Sequence, residues 1–487
     1  MPLLRAGASI VFLLVSAAAL VAYCGYQFVA IRYRYPLDFG EGVIVDQAML
    51  MASGRNIYPP DISTPPWSIS NYPPLYVAAL AISVKLVGPA WTFTVGRLIS
   101  ALATLVAGLS LARLVWRGTS DRFAGIVAVA MFTAFPFVVA WAPLVRIDMT
   151  ALALSLGGLY LLVAWPPSQR RLVASALLMV AAIYARQSYG LAAPLAGVVW
   201  LGTHAAGGWR LALRFAAQMG AVAAAVFVVL NWLTGGGFYF HIVAANINDF
   251  DVARLDYFWQ LLRRVALVPL VLAVATMVLT RGRPLFPLVA SYLVGSAVSA
   301  LTVGKVGSNF NYLLELCAGL SLCAALLVAW VRRPGRRRVL QPALLLVLAF
   351  SVVQMVQVTV RDYGGFLRDR VAQGPALDQL AALIAATPDP VLVDEYQGIL
   401  AMQGRPLVLQ PFAMTQLARE GRWDQRPLLE RIESKHFTAI VMFDRWSEER
   451  WTDEMLAAID RAYVVSETVA GNRIYRPAPL PSGGLSR

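Results

Sequence analysis

Charge is scarce in this chain. Of its 487 residues, 14% are charged and 59% are hydrophobic, where a soluble domain carries about 25% charged residues. That shortage excludes an ordinary soluble enzyme of this length. Cysteine and histidine are scarcer still, at three each. Cys24, Cys317 and Cys323 all fall in apolar segments, so neither a disulfide framework nor a paired-cysteine metal site is expected. His204, His241 and His436 form no HxxxH spacing, which removes a histidine-rich metal centre. No Walker loop and no G-x-G-x-x-G cradle is present, so direct use of a nucleotide is not expected.

What the chain has instead is apolar length. Hydrophobic runs recur from near the N-terminus to Val360, and most reach the roughly 20 residues needed to cross hydrocarbon. The net charge of +14 sits largely in arginines of the short connectors, where it sets topology. Nucleic acid is therefore not an expected partner. The first apolar stretch runs to about Ile31, too long for a signal-peptide core of about 7–15 residues, and is read as a retained helix.

The arginine bias fixes an expected orientation. The run Leu75–Val87 is short for a span and suits an interfacial or re-entrant helix, with Pro74 in its first turn. With that run lying in the interface, connectors at Arg117–Arg122, Pro166–Arg171, His204–Arg214, Arg281–Arg283 and Arg332–Arg338 all fall on the inner face. The polar connectors fall outside. The expected fold is a polytopic α-helical membrane protein of about eleven transmembrane helices. Its membrane part is 1–360, with a first outer loop over 32–91, the N-terminus cytoplasmic and the C-terminal region extracytoplasmic. After Arg361 charge rises and the apolar runs shorten. Val391–Asp394 and Ala439–Met442 read as buried strands, Pro427–Lys435 and Trp451–Arg461 as amphipathic helices. Val464–Val469 and Arg473–Tyr475, split by Gly471-Asn472, read as a hairpin. A small α/β domain over 361–487 is expected on the outer face.

Residues able to carry chemistry gather on that same face. Asp38 three residues before Glu41 is a capping-box spacing, and spacing alone favours the cap over a general base. Arg146 and Asp148 start another span, where ionisable groups are functional by default. Arg186 and Gln187 sit at the next outer boundary. Lys305 and the run Gly307-Ser308-Asn309-Phe310-Asn311-Tyr312 form a polar entry into a later span. Asn311 and Glu315 share one face of it, and Glu315 is expected to face the bundle interior. Asp249 and Asp251 form a lone D-x-D that could hold a divalent cation, although solvated turn residues explain it better. No other cofactor is indicated.

These residues resemble a known pattern. An Asp/Glu pair in the first outer loop, a Pro73-Pro74-Leu75 interfacial helix and Arg97 on the second span are similar to the GT-C glycosyltransferases. The nearest resemblance is to bacterial family 39-like members, relatives of protein O-mannosyltransferases and of the lipid A aminoarabinose transferase. Arg146-Ile147-Asp148 resembles their second outer acidic position. The resemblance implies an enzyme of the inner membrane. It would transfer a sugar, with inversion, from a polyprenyl-phosphate carrier to an envelope glycan, lipid or protein on the outer face. It implies Asp38 as general base with Asp148 or Glu41 assisting, and Arg146, Arg186, Lys305 and Arg97 at the donor phosphate. Tyr72, Gln187, Asn309, Asn311, Tyr312 and Glu315 would contact substrate. The chain departs from the aminoarabinose branch at Asn71-Tyr72, where that branch has an acidic–basic pair, which moves phosphate binding onto other cations. Two other classes fit the same composition: a flippase for a lipid-linked saccharide, and a scaffold whose outer domain binds envelope polymers.

Overall fold

A computed structural model describes residues 2–246, 248–444 and 447–479; the end of the expected C-terminal domain, 480–487, lies outside the described residues. Helices follow one another almost without interruption. They are α1 (Pro2–Arg32), α2 (Phe39–Ala52), α3 (Pro74–Thr119), α4 (Arg122–Ala134), α5 (Pro136–Trp141), α6 (Asp148–Ala164) and α7 (Gln169–Ala185). Next come α8 (Ala192–His204), α9 (Gly208–Leu233), α10 (Gly237–Ile242), α11 (Val252–Leu279), α12 (Phe286–Leu301), α13 (Leu314–Arg332) and α14 (Gln341–Val358).

Seven of the described helical stretches, those containing α1, α3, α9, α11, α12, α13 and α14, are long and apolar enough to cross a membrane. The other expected spans correspond to α4 with α5, α6, α7 and α8. The 17 residues of α6 or α7 give about 25 Å of helix at 1.5 Å per residue, just short of the hydrocarbon. Burial separates centre from rim: 94% of the apolar window of α13 is buried, against 6% of that in α9. An apolar helix can face either other helices or lipid, and α13 packs against α4, α11 and α12.

The short run Leu75–Val87 is helical, with Pro74 at its start. It ends at Gly88, whose φ of 79° breaks the helix before Pro89. Tyr76 then donates from its hydroxyl to the Gly96 carbonyl at 3.0 Å. Twenty residues of straight helix would separate those groups by about 30 Å, so the run folds back on the span that follows it.

The change of composition at Arg361 falls inside a helix, because the stretch from Arg337 to Ala372 is helical throughout. Beyond it lie α15 (Gly364–Ala372), α16 (Gly374–Ala386), α17 (Gly398–Met402), α18 (Pro411–Arg419), α19 (Arg426–Glu433), α20 (Ser447–Arg450) and α21 (Asp453–Ala462). The strands are β1 (Val391–Val393), β2 (Ala439–Phe443), β3 (Tyr463–Val469) and β4 (Asn472–Pro477), in the order β1-β2-β4-β3. β1 and β2 are parallel with Leu392 opposite Ile440, and the β3–β4 hairpin is antiparallel. Its turn is Ala470-Gly471, one residue earlier than expected, with φ of 51° and 74°; two positive φ values suit the twist of a two-residue hairpin.

The loop between α1 and α3 and the C-terminal sheet share a core. Trp67 and Ile69 of the loop are buried with Leu409, Met414, Trp423 and Leu428. The Trp67 N–H donates to the Val408 carbonyl at 2.9 Å, and the Gln410 N–H returns to Trp67 at 2.8 Å. On the neighbouring α2, the buried Asp46 carboxylate accepts the Leu407 N–H at 3.0 Å. Burial pushes the pKa of Asp46 up to about 7 from 3.8, against the pull of that N–H and of Arg55. The folded state thus binds this proton more tightly than the unfolded chain. Stability must fall as pH rises from about 4 through 7. Asp46→Asn keeps the acceptor and removes the charge. It is expected to stabilise the protein by about 1–3 kcal/mol at pH 8 and to change little at pH 4. Melting curves at the two pH values in one detergent check this; equal shifts at both would refute it.

Candidate active site

The site is built around the N-terminus of α2. Asp38 caps the helix in extended conformation, its carboxylate accepting the Gly40 N–H at 3.0 Å. Glu41 completes the capping box by accepting the Leu37 and Asp38 N–H groups at 2.6 and 3.4 Å. The cap read from the spacing is therefore real. It turns one Asp38 face toward the helix and leaves the carboxylate beside Arg146, at 3.3 Å.

Asp38 opens onto a cavity of about 650 Å³. Tyr72, Arg146, Arg186, Gln187, Lys305, Asn309 and Tyr312 all line it, so most of the predicted residues meet although four separate connectors supply them. Arg146 Nη2 donates to the Tyr72 hydroxyl at 3.2 Å, and its guanidinium lies 5.3 Å from the Trp141 ring centroid. Arg186 lies 4.3 Å from the ring centroid of Tyr312. Lys305 is in no ion pair among the described residues.

Five predicted residues lie behind the wall. Glu41 and Arg97 are both fully buried and bound to each other, Nε to Oε1 at 3.0 Å and Nη2 to Oε2 at 2.8 Å. Glu41 also accepts the Val145 N–H at 2.8 Å. Arg97 gives its remaining N–H groups to the Ala30, Tyr33 and Tyr35 carbonyls. No donor is left on Arg97 for a phosphate, and the assignment of Glu41 to catalysis is corrected with it. This pair ties the end of α1 to the start of α2. Asp148 is buried too. It accepts from Trp141 Nε1 at 2.7 Å and Asn311 Nδ2 at 3.0 Å and forms an ion pair with Arg186, so it and Asn311 orient that arginine. Glu315 is buried on α13, away from the wall.

The D-x-D residues serve the backbone. Asp251 caps α11 by accepting the Ala253 N–H at 2.8 Å, and the Asp249 carbonyl accepts the Val306 N–H at 2.9 Å. Among the described residues no three His, Cys, Asp or Glu side chains converge as a metal-ligand set.

The sequence reading missed the amides Gln47, Asn246 and Gln410, and Phe412, all on the wall. Neutral amides in loops carry no pattern, and Gln410 and Phe412 arrive from the far end of the chain. The Ile69–Asn71 segment gathers the amides: Gln47 and Gln187 donate to the Ile69 and Asn71 carbonyls, and Gln410 accepts the Ile69 N–H. Part of the lining is apolar: Tyr184, Phe227, Phe238 and Ile242 belong to one hydrophobic cluster, and Ile183 joins them on the wall.

Burial raises the pKa of Asp38 above its ordinary 3.8, opposed chiefly by the Arg146 cation and assisted by the nearby negative charge of Glu41. A carboxylate so placed is a better proton acceptor than one in water.

The architecture is that of the GT-C membrane fold. ArnT from Cupriavidus metallidurans, in a structure bound to undecaprenyl phosphate, superposes with a TM-score of 0.63 at 17% identity, over 95% of this chain and 97% of that one. Its apo structure gives 0.64 with the same identity and coverage. The archaeal oligosaccharyltransferase AglB from Archaeoglobus fulgidus, in complex with an inhibitory peptide and a dolichol-phosphate, gives 0.51 at 11% identity, over 96% of this chain and 75% of that one. No protein-family model matches the sequence, and no curated protein matches it significantly.

Proposed function

We propose that this chain is a glycosyltransferase of the bacterial inner membrane that takes its sugar from a polyprenyl-phosphate carrier on the outer face. The observation that carries the reading is that, among the described residues, one carboxylate, Asp38, faces a cavity whose other charged wall residues, Arg146, Arg186 and Lys305, are cations. Asp38 removes the proton of an acceptor hydroxyl on a glycan, lipid or protein. The acceptor oxygen then bonds to the anomeric carbon as the bond from that carbon to the carrier phosphate breaks. The departing phosphate keeps the electron pair, and the cations stabilise its charge as it develops. A single displacement with one base inverts the anomeric centre, whereas retention needs a second carboxylate as nucleophile. A structure bound to undecaprenyl phosphate and one in complex with a dolichol-phosphate share this fold, and the apolar part of the cavity lining suits an isoprenoid tail. The amide wall suits the hydroxyls of an uncharged sugar.

Arg146 and Arg186 each face a carboxylate, so Lys305 is the cation with most field to give a phosphate. Lys305→Met is expected to raise KM for a donor about tenfold or more, with unchanged folding. A KM within twofold of wild type would remove Lys305 from the phosphate site. The function itself is tested by supplying the reconstituted full chain with a panel of undecaprenyl-phosphate sugars and following release of undecaprenyl phosphate. Release that depends on Asp38 supports the reading; movement of the intact lipid-linked sugar across the bilayer without release would replace it with a flippase.

A further inference from the structure

Four consecutive residues after Asp38 are gripped by parts of the chain distant in sequence. The Arg450 guanidinium lies 4.2 Å from the centroid of the Phe39 ring. Arg146 packs so closely on Gly40 that any side chain there would displace it. Glu41 is bound by Arg97 and by the Val145 N–H. At Gly42 the backbone touches that of Gly398, where an added Cβ would stand 2.6 Å from the Gly398 Cα. Two of these grips, Arg450 and Gly398, belong to the C-terminal α/β unit.

Arg450 is itself held from behind. Its Nη2 donates to Glu395 Oε2, and Glu395 Oε1 lies 3.6 Å from Arg370 Nη2. Glu395 lies two residues beyond the C-terminal end of β1, and both members of the pair are buried, at 8% and 6% exposure. Burying two charges costs desolvation that their mutual attraction repays only with good geometry and further hydrogen bonds. Here the guanidinium face is spent on an aromatic ring that lines the cavity and adjoins the base; among the described residues Arg450 Nε and Nη1 have no hydrogen-bond partner.

We infer that the C-terminal unit positions the base: Glu395 and Arg450 acting through Phe39, and Gly398 acting through Gly42, fix the first turn of α2 and with it the Asp38 carboxylate. The role as base rests on the proposed function; the positioning itself does not. The charged groups around Asp38 are Arg146, Glu41 with its partner Arg97, and Glu395 with its partners Arg450 and Arg370. The negative charge of Glu395 is felt at Asp38, whose pKa it raises. The pair is therefore electrostatically as well as sterically coupled to the base.

The test uses the full chain in lipid nanodiscs with isotope-labelled aspartate. Asp38 is titrated by infrared difference against Asp38→Asn, and hydrogen exchange is followed over the segment 37–47. Glu395→Gln should move the Asp38 midpoint to lower pH. Arg450→Met leaves Glu395 less neutralised and should move it to higher pH, while Arg450→Lys restores the wild-type midpoint. Amides of the first turn of α2 should exchange about tenfold faster in Arg450→Met than in wild type. On any donor that turns over, Arg450→Met should lower kcat about tenfold or more with KM within about twofold, as expected for a misplaced group. Melting curves show which variants are folded. Folded variants with unchanged midpoints and unchanged exchange would overturn the inference. Full activity in Asp38→Asn alongside shifted midpoints would instead overturn the reading of Asp38 as base and leave the positioning intact.

Discussion

Asp38→Asn is expected to lower sugar transfer by about 10²–10⁴-fold, the range for loss of a positioned general base. The substitution is informative because the amide oxygen can still accept the Gly40 N–H that the carboxylate holds at 3.0 Å. Helix α2 keeps its cap, and the melting temperature should change little. What disappears is the proton acceptor and its attraction for Arg146. The pH profile adds a second reading of the same group. A base must be ionised, so activity falls as pH drops through its pKa, and burial places that pKa above the ordinary 3.8. The acid limb of kcat/KM should therefore lie above that of an exposed aspartate and vanish with Asp38. Transfer within threefold of wild type would end the assignment.

The largest effect on stability is expected at the pair that was first a candidate for chemistry. Arg97→Met leaves Glu41 charged, fully buried and without its cation, and also removes the N–H groups bound by the Ala30, Tyr33 and Tyr35 carbonyls. Breaking one side of a buried ion pair costs about 3–5 kcal/mol. Arg97→Lys should not recover it, because one ammonium cannot reach both carboxylate oxygens and three carbonyls at once. The double variant Glu41→Gln, Arg97→Met should recover a large part, since no unpaired charge then remains. Unfolding of each variant in a single detergent measures this. A single variant within 1 kcal/mol of wild type would mean that the pair is solvated in the native protein.

Spacing and composition carried different kinds of information. The capping box of Asp38 and Glu41, the short helix behind Pro74 and the strands at Val391 and Ala439 depend on neighbours within about four residues. Each was legible for that reason. Asp38 and Glu41 are both acids at one helix start, and the sequence offered Asp38 as base with Glu41 assisting. The fold separates them. Arg97, from a different helix, withdraws Glu41 into the interior, while Arg146, from a third connector, leaves Asp38 on the cavity. Asp148 and Glu315 looked like site residues because charge at membrane depth is rare. Burial accounts for both, but Asp148 is used to orient Arg186.

The sequence alone determined that this is a many-helix membrane protein with its charged and polar chemistry gathered in the connectors after the first helix. Apolar runs near the length of a bilayer and helix-start spacings are local properties, and they survive without knowledge of the fold. Tertiary structure decided which of those charges meet open space and which are spent on each other. It also decided that the C-terminal sheet packs into the loop between α1 and α3 and reaches the turn that carries Asp38. Those outcomes depend on contacts between residues hundreds of positions apart, such as Phe39 with Arg450 and Gly42 with Gly398, and no periodicity in the chain encodes them.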